Sequence, residues 1–197
     1  DPLWLSHPNF FREASKREKR RSRCRAVLID AEPRVVSEIS QASHAQGRDQ
    51  SWLYPEVDQG IVSSWKKVGS SGSANNWAYG YRQQGEAMRE CILESIRKEA
   101  EHCDCLDSFF FLQSLAGGTG SGLGSFCSEL LRDEYPARFQ LHAVVWPYSS
   151  GDVVVQSYNS SLCLSHLLDS SDGVLCLHND QAHDICSKLL GCARPSF

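Results

Sequence analysis

Two kinds of hydrophobic pattern alternate along the chain. Short apolar runs at 26–30, 108–115, 139–146 and 173–177 predict strands, and the run at 108–115 is typical of a strand buried on both faces of a parallel sheet. Between and after these runs, apolar residues recur every three or four positions, which is typical of amphipathic helices. This alternation predicts an α/β fold with a three-layer, mostly parallel, Rossmann-like sheet and helices on both faces.

Each predicted helix has one face that we expect to be buried. These faces consist of Val35, Val36 and Ile39 in the first helix, of Met88, Cys91, Ile92, Ser95, Ile96 and Glu99 in the second, of Leu123, Phe126, Cys127, Leu130 and Leu131 in the third, of Val155, Tyr158 and Leu162 in the fourth, and of Ala182, Ile185, Cys186, Leu189 and Leu190 in the fifth. In such sheets, ligands bind outside the carboxyl ends of the strands. The loops that follow the strands are therefore the candidate functional segments.

The loop after the second predicted strand is the most informative stretch of the chain. Residues 114–124 read SLAGGTGSGLG, between a predicted strand and a predicted helix. Glycines leave the backbone bare, so amide N–H groups at the start of the helix would face a ligand, and the helix dipole favours an anion there. The run therefore predicts a phosphate-binding turn; the alternative is a plain helix-entry turn.

Three other common motifs are excluded at this loop. No Lys-Ser or Lys-Thr pair follows the glycines, as a Walker A loop requires. The GxGxxG spacing of dinucleotide-binding enzymes fails, because Leu123 and Ser125 stand where the third glycine is needed. Ser121 is not in a nucleophile elbow, because Thr119 occupies the position two residues before it, where a glycine is required.

Two carboxylates follow the first predicted strand. Asp30 and Glu32 would lie at its carboxyl end, and Pro33 suits the first position of the helix that follows. Beside a phosphate site, such a pair binds Mg²⁺ directly or through water. The alternative is an acidic helix start whose carboxylates accept hydrogen bonds from free N–H groups. The residues alone leave both interpretations open.

Composition adds limits to this picture. The 197 residues are 41% hydrophobic, enough for one buried core, and the net charge of −4 gives no indication of a nucleic-acid partner. Residues 12–25 hold eight Lys or Arg against two Glu, so we expect 1–25 to be a basic, poorly ordered segment before a domain at 26–197. For 16–25 a solvated loop is favoured over a nuclear-localisation or anionic-surface patch. Nine scattered cysteines favour reduced thiols in the cytosol or nucleus, and no apolar run is long enough to span a membrane.

Four separated segments resemble the tubulin family. The run GGTGSG at 117–122 is similar to the signature of tubulins and their bacterial division-protein relatives. Residues 72–80 (GSANNWAYG) resemble the tubulin loop Gly-Ala-Gly-Asn-Asn-Trp-Ala with Ala74 in place of the second glycine, and 30–33 match Asp-x-Glu-Pro. Residues 152–160 (DVVVQSYNS) resemble Asp-x-Val-Val-Glu-Pro-Tyr-Asn with Gln156 in place of the glutamate. The resemblance extends from residue 26 to about residue 190 and is strongest to the delta branch.

The resemblance implies a domain that binds GTP or GDP with Mg²⁺. It places Gln156 near the nucleotide sugar and Asn179 at the guanine edge, although a helix N-cap is the alternative role for Asn179. Gln156 keeps its hydrogen-bonding capacity but lacks the charge of the family's glutamate. The metal position falls on Glu32 and Asp30. The remaining nucleotide-binding residues that the resemblance implies are Ser114, Gly117, Gly118, Thr119, Gly120, Asn75 and Asp152.

The resemblance also implies partners and a location: other tubulins or centriolar microtubules, in the cytoplasm and the cytoskeleton of centriole, basal body and cilium. The basic stretch at 16–25 makes the nucleus the alternative location. It implies that a first phosphate loop and the acidic loop that positions the attacking water lie outside this incomplete chain, so we expect GTP binding without hydrolysis by the chain alone. Two rivals remain. One is a tubulin-like structural subunit with a degenerate site, for which Gln156 is the argument. The other is a dinucleotide-dependent enzyme, whose glycine motif is absent.

Overall fold

The computed structural model describes residues 11–13, 22–32, 34–35, 72–151 and 153–191, with side chains from residue 25 onward. Contacts divide the chain into two compact units. The N-terminal unit comprises residues 1–71 and 88–104, and the sheet unit comprises 72–87 and 105–197. Within the described ranges, no helix has the length and apolar character needed to cross a membrane.

In the N-terminal unit, two short strands pair antiparallel. These are β1 (Phe11–Glu13) and β2 (Ser22–Cys24), and Phe11 lies opposite Cys24. The prediction of a strand at 26–30 is wrong for the described structure, in which 25–30 form no strand. An extended segment becomes a strand only through a hydrogen-bonded neighbour, and the described residues provide none for this one. Residues 34 and 35 are helical, whereas Val36 and Ile39 lie outside the described residues.

The next helical segment begins before its predicted start. A π-helical stretch, Tyr79–Gln84, runs directly into α1 (Gly85–Glu101). The predicted buried face of α1 is confirmed, because Met88, Ile92 and Ile96 are buried.

The sheet unit contains three parallel strands in the order of the sequence. They are β3 (Ser108–Ser114), β4 (Phe139–Trp146) and β5 (Gly173–His178), with β4 in the centre. Helices follow each strand: α2 (Gly124–Glu134), α3 (Gln156–Ser170) and α4 (Asn179–Leu189). The predicted α/β fold, a parallel Rossmann-like sheet flanked by helices, is confirmed.

The core of the sheet unit lies between β4 and the helices that precede and follow it. Val144 of β4 packs in a cluster with Leu115, Cys163, Leu167 and Trp77. The predicted face of α2 is confirmed, since its five residues are all buried: Leu123, Phe126, Cys127, Leu130 and Leu131. At about 25 cal/mol per Å² of buried apolar surface, each fully buried leucine of this kind contributes roughly 2 kcal/mol.

Three predicted faces are wrong. The predicted face of α4 is not buried, because Ile185 and Leu189 are exposed and no residue of this helix is buried in the described structure. β3 is not buried on both faces, because Phe110 and Leu112 are 51% and 75% exposed. On α3, Val155, Tyr158 and Leu162 are exposed, and the buried residues are instead Asn159, Ser160, Cys163, Leu167 and Ser170. Three of these five are polar and satisfy their side chains by hydrogen bonds, so apolar periodicity selected the wrong side of the helix.

Candidate phosphate-binding site

The register of the sheet brings three strand ends to one edge. Ser114 at the end of β3 pairs with Val145, and Trp146 at the end of β4 pairs with His178 at the end of β5. Because the strands are parallel, the loops that leave all three emerge on the same side. The glycine-rich segment, the 147–155 loop and the start of α4 therefore share one rim, as the alternation of strands and helices predicted.

The glycine-rich segment is mostly helix rather than turn. Helical backbone starts at Gly118, continues as a π-helical stretch over Thr119–Leu123 and becomes α2 at Gly124. Single π-helical turns are rare in proteins, and those that occur are frequently found at functional sites. The prediction of a turn followed by a helix at Leu123 is thus corrected by about one helical turn.

Close backbone packing explains three of the glycines. A Cβ on Gly118 would lie 2.6 Å from the carbonyl oxygen of Ser73, and one on Gly122 would lie 2.1 Å from that of Trp77. A Cβ on Gly120 would lie 2.4 Å from the carbonyl oxygen of Ser114. These glycines allow the start of the helix to pack directly against the protein's own backbone. The sequence pattern did not predict this structural role.

Gly117 differs from the other three. Among the described residues, the only atom near a Cβ built there is Oδ1 of Asn75, at the ordinary contact distance of 3.4 Å. Within the described ranges, the side of the loop at Gly117 is therefore open apart from the Asn75 side chain. Asn75 and Gly117 lie next to each other, as a shared ligand site requires.

The backbone amides at the helix start are available to a ligand. The first bond of the helix runs from the N–H of Ser121 to the carbonyl oxygen of Gly117, at 3.1 Å. Among the described residues, no protein atom accepts a hydrogen bond from the amides of Gly117, Gly118, Thr119 or Gly120. Free N–H groups at the positive end of a helix favour an anion, and each bond to a charged oxygen contributes roughly 1.5–3 kcal/mol.

Two hydroxyl groups shape this segment. The side-chain oxygen of Ser114 accepts a hydrogen bond from the N–H of Ala116 at 3.2 Å. The hydroxyls of Thr119 and Ser73 lie 3.1 Å apart, which joins the helix start to the segment that carries Asn75. Ser114 and Thr119, the two hydroxyl residues that the resemblance implies, thus both make hydrogen bonds within the loops of the candidate site.

The segment before Trp77 contains strained backbone. Ala74 and Asn75 have φ angles of 49° and 51°, in the left-handed region that favours glycine. Asparagine tolerates this region, whereas alanine pays roughly 1–2 kcal/mol for it. Ala74 stands where the tubulin loop has glycine, and its φ angle is one that glycine adopts without strain. The strained residue lies beside the candidate site.

Asn159 on α3 contacts both loops of the candidate site, although the sequence pattern predicted no role for it. Its side chain is 3% exposed. Its Nδ2 donates to the carbonyl oxygens of Asn75 at 2.9 Å and Ala116 at 2.8 Å, and its Oδ1 accepts from the N–H of Trp77 at 3.0 Å. A polar residue at a buried helical position was the available signal, and it was obscured by the exposed apolar residues beside it.

The 147–151 loop is tied to two helices. Nε2 of Gln156, at the start of α3, donates to the carbonyl oxygen of Tyr148 at 2.9 Å. Oδ2 of Asp180, on α4, accepts from the N–H and the hydroxyl of Ser149 at 3.1 and 2.6 Å, and these bonds lower the pKa of Asp180. Gln156 therefore makes a contact within the protein that a glutamate, which has no N–H donor, could not make. Asp152 lies outside the described residues.

Asn179 is the first residue of α4 and lies at the carboxyl end of β5, on the same rim. The N-cap position belongs to His178, which makes no side-chain capping bond, so the alternative interpretation of Asn179 as the N-cap is wrong. No partner for the Asn179 side-chain amide occurs among the residues the structure covers, and Asn179 is half-buried.

Asp30 and Glu32 belong to the N-terminal unit and form a turn of their own. Oδ1 of Asp30 accepts a hydrogen bond from the N–H of Glu32 at 2.8 Å, and Glu32 is exposed. Burial raises the pKa of Asp30, and the charge of Glu32 adds to that rise. A carboxylate that is destabilised in this way gains from a nearby cation, so the pair fits Mg²⁺, which commonly takes one or two carboxylates together with phosphate oxygens. In the described ranges, no three metal-binding side chains form a group.

Comparison with known proteins agrees with this geometry. Residues 4–187 match the family model described as the Tubulin/FtsZ family, GTPase domain. The chain is 44% identical to the tubulin delta chain of Macaca fascicularis over 173 residues, which cover 88% of this chain and 36% of that protein; the figures for the tubulin delta chain of Homo sapiens are the same. It is 42% identical to the tubulin epsilon chain of Mus musculus over 167 residues, which cover 85% of this chain and 32% of that protein. The chain thus spans about a third of the length of these relatives. On this match over most of its length, the chain belongs to the Tubulin/FtsZ family.

Proposed function

We propose that the chain binds GTP and GDP through the glycine-rich start of α2. The observation that carries this proposal is the set of amides at Gly117–Gly120, which meet no acceptor among the described residues. They lie at the positive end of a helix, on the rim where parallel sheets bind ligands. A nucleotide phosphate supplies the charged oxygens that such amides favour.

The remaining site residues are assigned by their position around this helix start. The exposed side chain of Asn75 adjoins Gly117 and would contact a phosphate oxygen. Thr119 and Ser114 shape the loop through their hydroxyls. Asn179, further along the rim, would bind the guanine edge, where an amide offers both a donor and an acceptor. Asp152 and Gln156 would lie towards the sugar.

Mg²⁺ belongs to this proposal through Asp30 and Glu32. The carboxylates would take part in binding the ion, which neutralises phosphate charge when bound. The support for this assignment is that the two side chains suit a cation chemically. Asp30 is half-buried and burial raises its pKa, and the neighbouring Glu32 is exposed.

The cellular role that we propose is that of a cytoskeletal protein of the delta branch, which acts with other tubulins or centriolar microtubules. The centriole and basal body, with their triplet microtubules, and the cilium would be its sites of action, from the cytoplasm; the nucleus is the alternative location suggested by the basic stretch 16–25. The support is the similarity to tubulin delta chains over 88% of the chain. Depletion followed by electron microscopy of centrioles tests this role, because unchanged triplets and unchanged cilia would contradict it.

A titration with a fluorescent GTP analogue tests nucleotide binding. We expect saturable binding that unlabelled GTP and GDP displace and that ATP and NAD do not. Gly117→Ala, which adds a methyl group on the open side of the loop, should weaken binding at least about tenfold. Ser187→Ala on α4, which removes a side-chain hydrogen bond to the carbonyl oxygen of Asp184, is the control and should bind as the wild type does. NAD-selective displacement would instead support the dinucleotide-enzyme alternative.

One observation favours a second candidate, a tubulin-like structural subunit with a degenerate site. Gln156 uses its amide to bind the carbonyl oxygen of Tyr148 rather than pointing a charge at a ligand. If this candidate is right, the folded wild-type chain shows no saturable GTP binding. Gain of binding in Gln156→Glu would support it further, because that change restores the carboxylate of the tubulin run.

A further inference from the structure

We propose that Asn159 is a positioning residue that orients the Gly117 N–H group towards the nucleotide phosphates without touching the nucleotide itself. This inference rests on the proposed GTP site and goes beyond it, since it names the residue that sets the geometry of that site. It is carried by three hydrogen bonds of one buried side chain, which we call the Asn159 clamp: Nδ2 to the carbonyl oxygens of Asn75 and Ala116, and Oδ1 from the N–H of Trp77.

The bond to Ala116 determines where the next amide points. The carbonyl group of Ala116 and the N–H of Gly117 belong to one planar trans peptide unit, in which the two groups point in opposite directions. Because Nδ2 of Asn159 binds that carbonyl at 2.8 Å, the Gly117 N–H points away from α3. A carbonyl that accepts a hydrogen bond also polarises its peptide unit, which strengthens the N–H as a donor.

The second loop is oriented in the same way. The clamp binds the carbonyl oxygen of Asn75 and the N–H of Trp77, which belong to the peptide units on either side of Asn76. One NH₂ group therefore joins carbonyls of two separate loops and determines the spacing between Asn75 and Gly117. Both its donors and its acceptor have partners, so at 3% exposure it has no hydrogen left for a ligand.

The clamp is mounted on a rigid element. Asn159 lies near the start of α3, and its own N–H bonds to the carbonyl oxygen of Val155 at 3.0 Å. Cys163 and Leu167, on the following turns, are buried in the core of the sheet unit. A site residue that is supported by a packed helix is positioned more accurately than one supported by a loop alone.

The neighbouring residue provides a matched control. The hydroxyl of Ser160 donates to the carbonyl oxygen of Leu115 at 3.3 Å and is also buried. Ser160→Ala removes a buried hydrogen bond from the same helical turn, but it leaves untouched the two peptide units whose carbonyls the clamp binds, Ala116–Gly117 and Asn75–Asn76. The comparison therefore separates a general loss of stability, which both variants would show, from a loss of orientation of the Gly117 N–H group, which only the Asn159 variants would show.

The test measures the affinity of the chain for GTP and GMP in the wild type, Asn159→Ala, Asn159→Asp and Ser160→Ala. In both Asn159 variants we expect GTP binding to weaken at least about tenfold and GMP binding by less than about threefold, because GMP lacks the β- and γ-phosphates. Ser160→Ala should leave the ratio of the two affinities unchanged. Equal losses for GTP and GMP, or an unchanged ratio in Asn159→Asp, would overturn the inference while leaving the GTP site standing.

A second measurement needs no nucleotide. The residual dipolar coupling of the Gly117 N–H bond, recorded by NMR on the free chain, should change in Asn159→Ala and stay constant in Ser160→Ala. An unchanged coupling in Asn159→Ala overturns the inference even if the wild type binds no GTP, which would be the separate failure of the proposed function. If both Asn159 variants fail to fold, the wild-type side-chain NH₂ resonances of Asn159 are observed instead; they should shift with GTP and not with guanosine, and no shift with GTP counts against the clamp.

Discussion

Substitution of Gly122 by alanine separates the two reasons for glycine at the start of α2. A Cβ at this position would lie 2.1 Å from the carbonyl oxygen of Trp77 and 2.9 Å from the backbone nitrogen of Tyr81. Both neighbours are backbone atoms, so no side chain can rotate away. Overpacking of this kind costs about 3 kcal/mol at the upper end of its range, and the better helix propensity of alanine offsets about 1 kcal/mol. We therefore expect Gly122→Ala to lower the free energy of unfolding by about 2 kcal/mol.

Urea denaturation followed by tryptophan fluorescence measures this change, because Trp77 packs in the core beside Gly122. Gly117→Ala is the matched control: it adds the same methyl group to the same loop, where Oδ1 of Asn75 is the only atom of the described part of the chain within 4 Å. Its unfolding free energy should stay within about 0.5 kcal/mol of the wild type. If Gly122→Ala proved as stable as the wild type, or if Gly117→Ala were the more destabilised of the two, the account of the glycines as backbone contacts would be wrong.

Three further predictions concern single residues of the sheet unit and its site loop. Burial, and secondarily the charge of Arg132, lower the pKa of His142 from 6.5 to about 4, so the folded state resists its protonation. The free energy of unfolding should therefore fall by about 3 kcal/mol as the pH drops from about 6.5 to about 4. In urea titrations, His142→Phe should flatten this dependence on pH. Ala74→Gly should raise stability by about 1 kcal/mol in thermal unfolding, because it relieves a φ of 49°; an unchanged midpoint would contradict this. Burial, together with the hydrogen bond to Glu129, raises the pKa of Tyr81 to about 12, which ultraviolet titration against Glu129→Gln measures; equal tyrosine titration curves in the two proteins would contradict it.

The strands of the sheet unit and the class of fold were predictable from the sequence because their signals are local. β4 and β5 are short apolar runs with clear ends, and their predicted bounds agree with the structure to within one residue. α2 was predictable because apolar residues recur at helical spacing on its buried face, although that face also carries the buried Ser125 and Ser128. Alternation of such strands and helices allows few topologies, so the parallel order and the common rim followed.

The errors come from residues whose environment depends on distant parts of the chain. The buried face of α3 carries Asn159, Ser160 and Ser170, which are buried because carbonyl groups from other elements and nearby hydroxyls accept or donate hydrogen bonds. Periodicity rates such residues as polar and places them outside. The roles of Gly118 and Gly122 likewise depend on the backbone of 73–81, which is about forty positions earlier in the sequence.

The candidate site was predictable in its loops and less so in its contacts. Asn75 and Gly117 lie side by side, and Asn179 lies on the same rim, whereas the contacts of all three residues with a nucleotide stay a prediction. The bond from Gln156 to the carbonyl oxygen of Tyr148 could not be read from the sequence, because it depends on the path of the 147–151 loop. The positions of Asp30 and Glu32 relative to the loop stay a prediction, since they belong to the other compact unit.

Backbone amide NMR of the chain during titration with GTP tests the central claim most directly. The four amides at Gly117, Gly118, Thr119 and Gly120 have no acceptor among the described residues and would receive one from the phosphates. The account predicts that these four resonances shift together and saturate with the binding curve, while the amides of β4 stay in place. A folded chain that binds GTP without moving them, or in which another segment shifts instead, would contradict it.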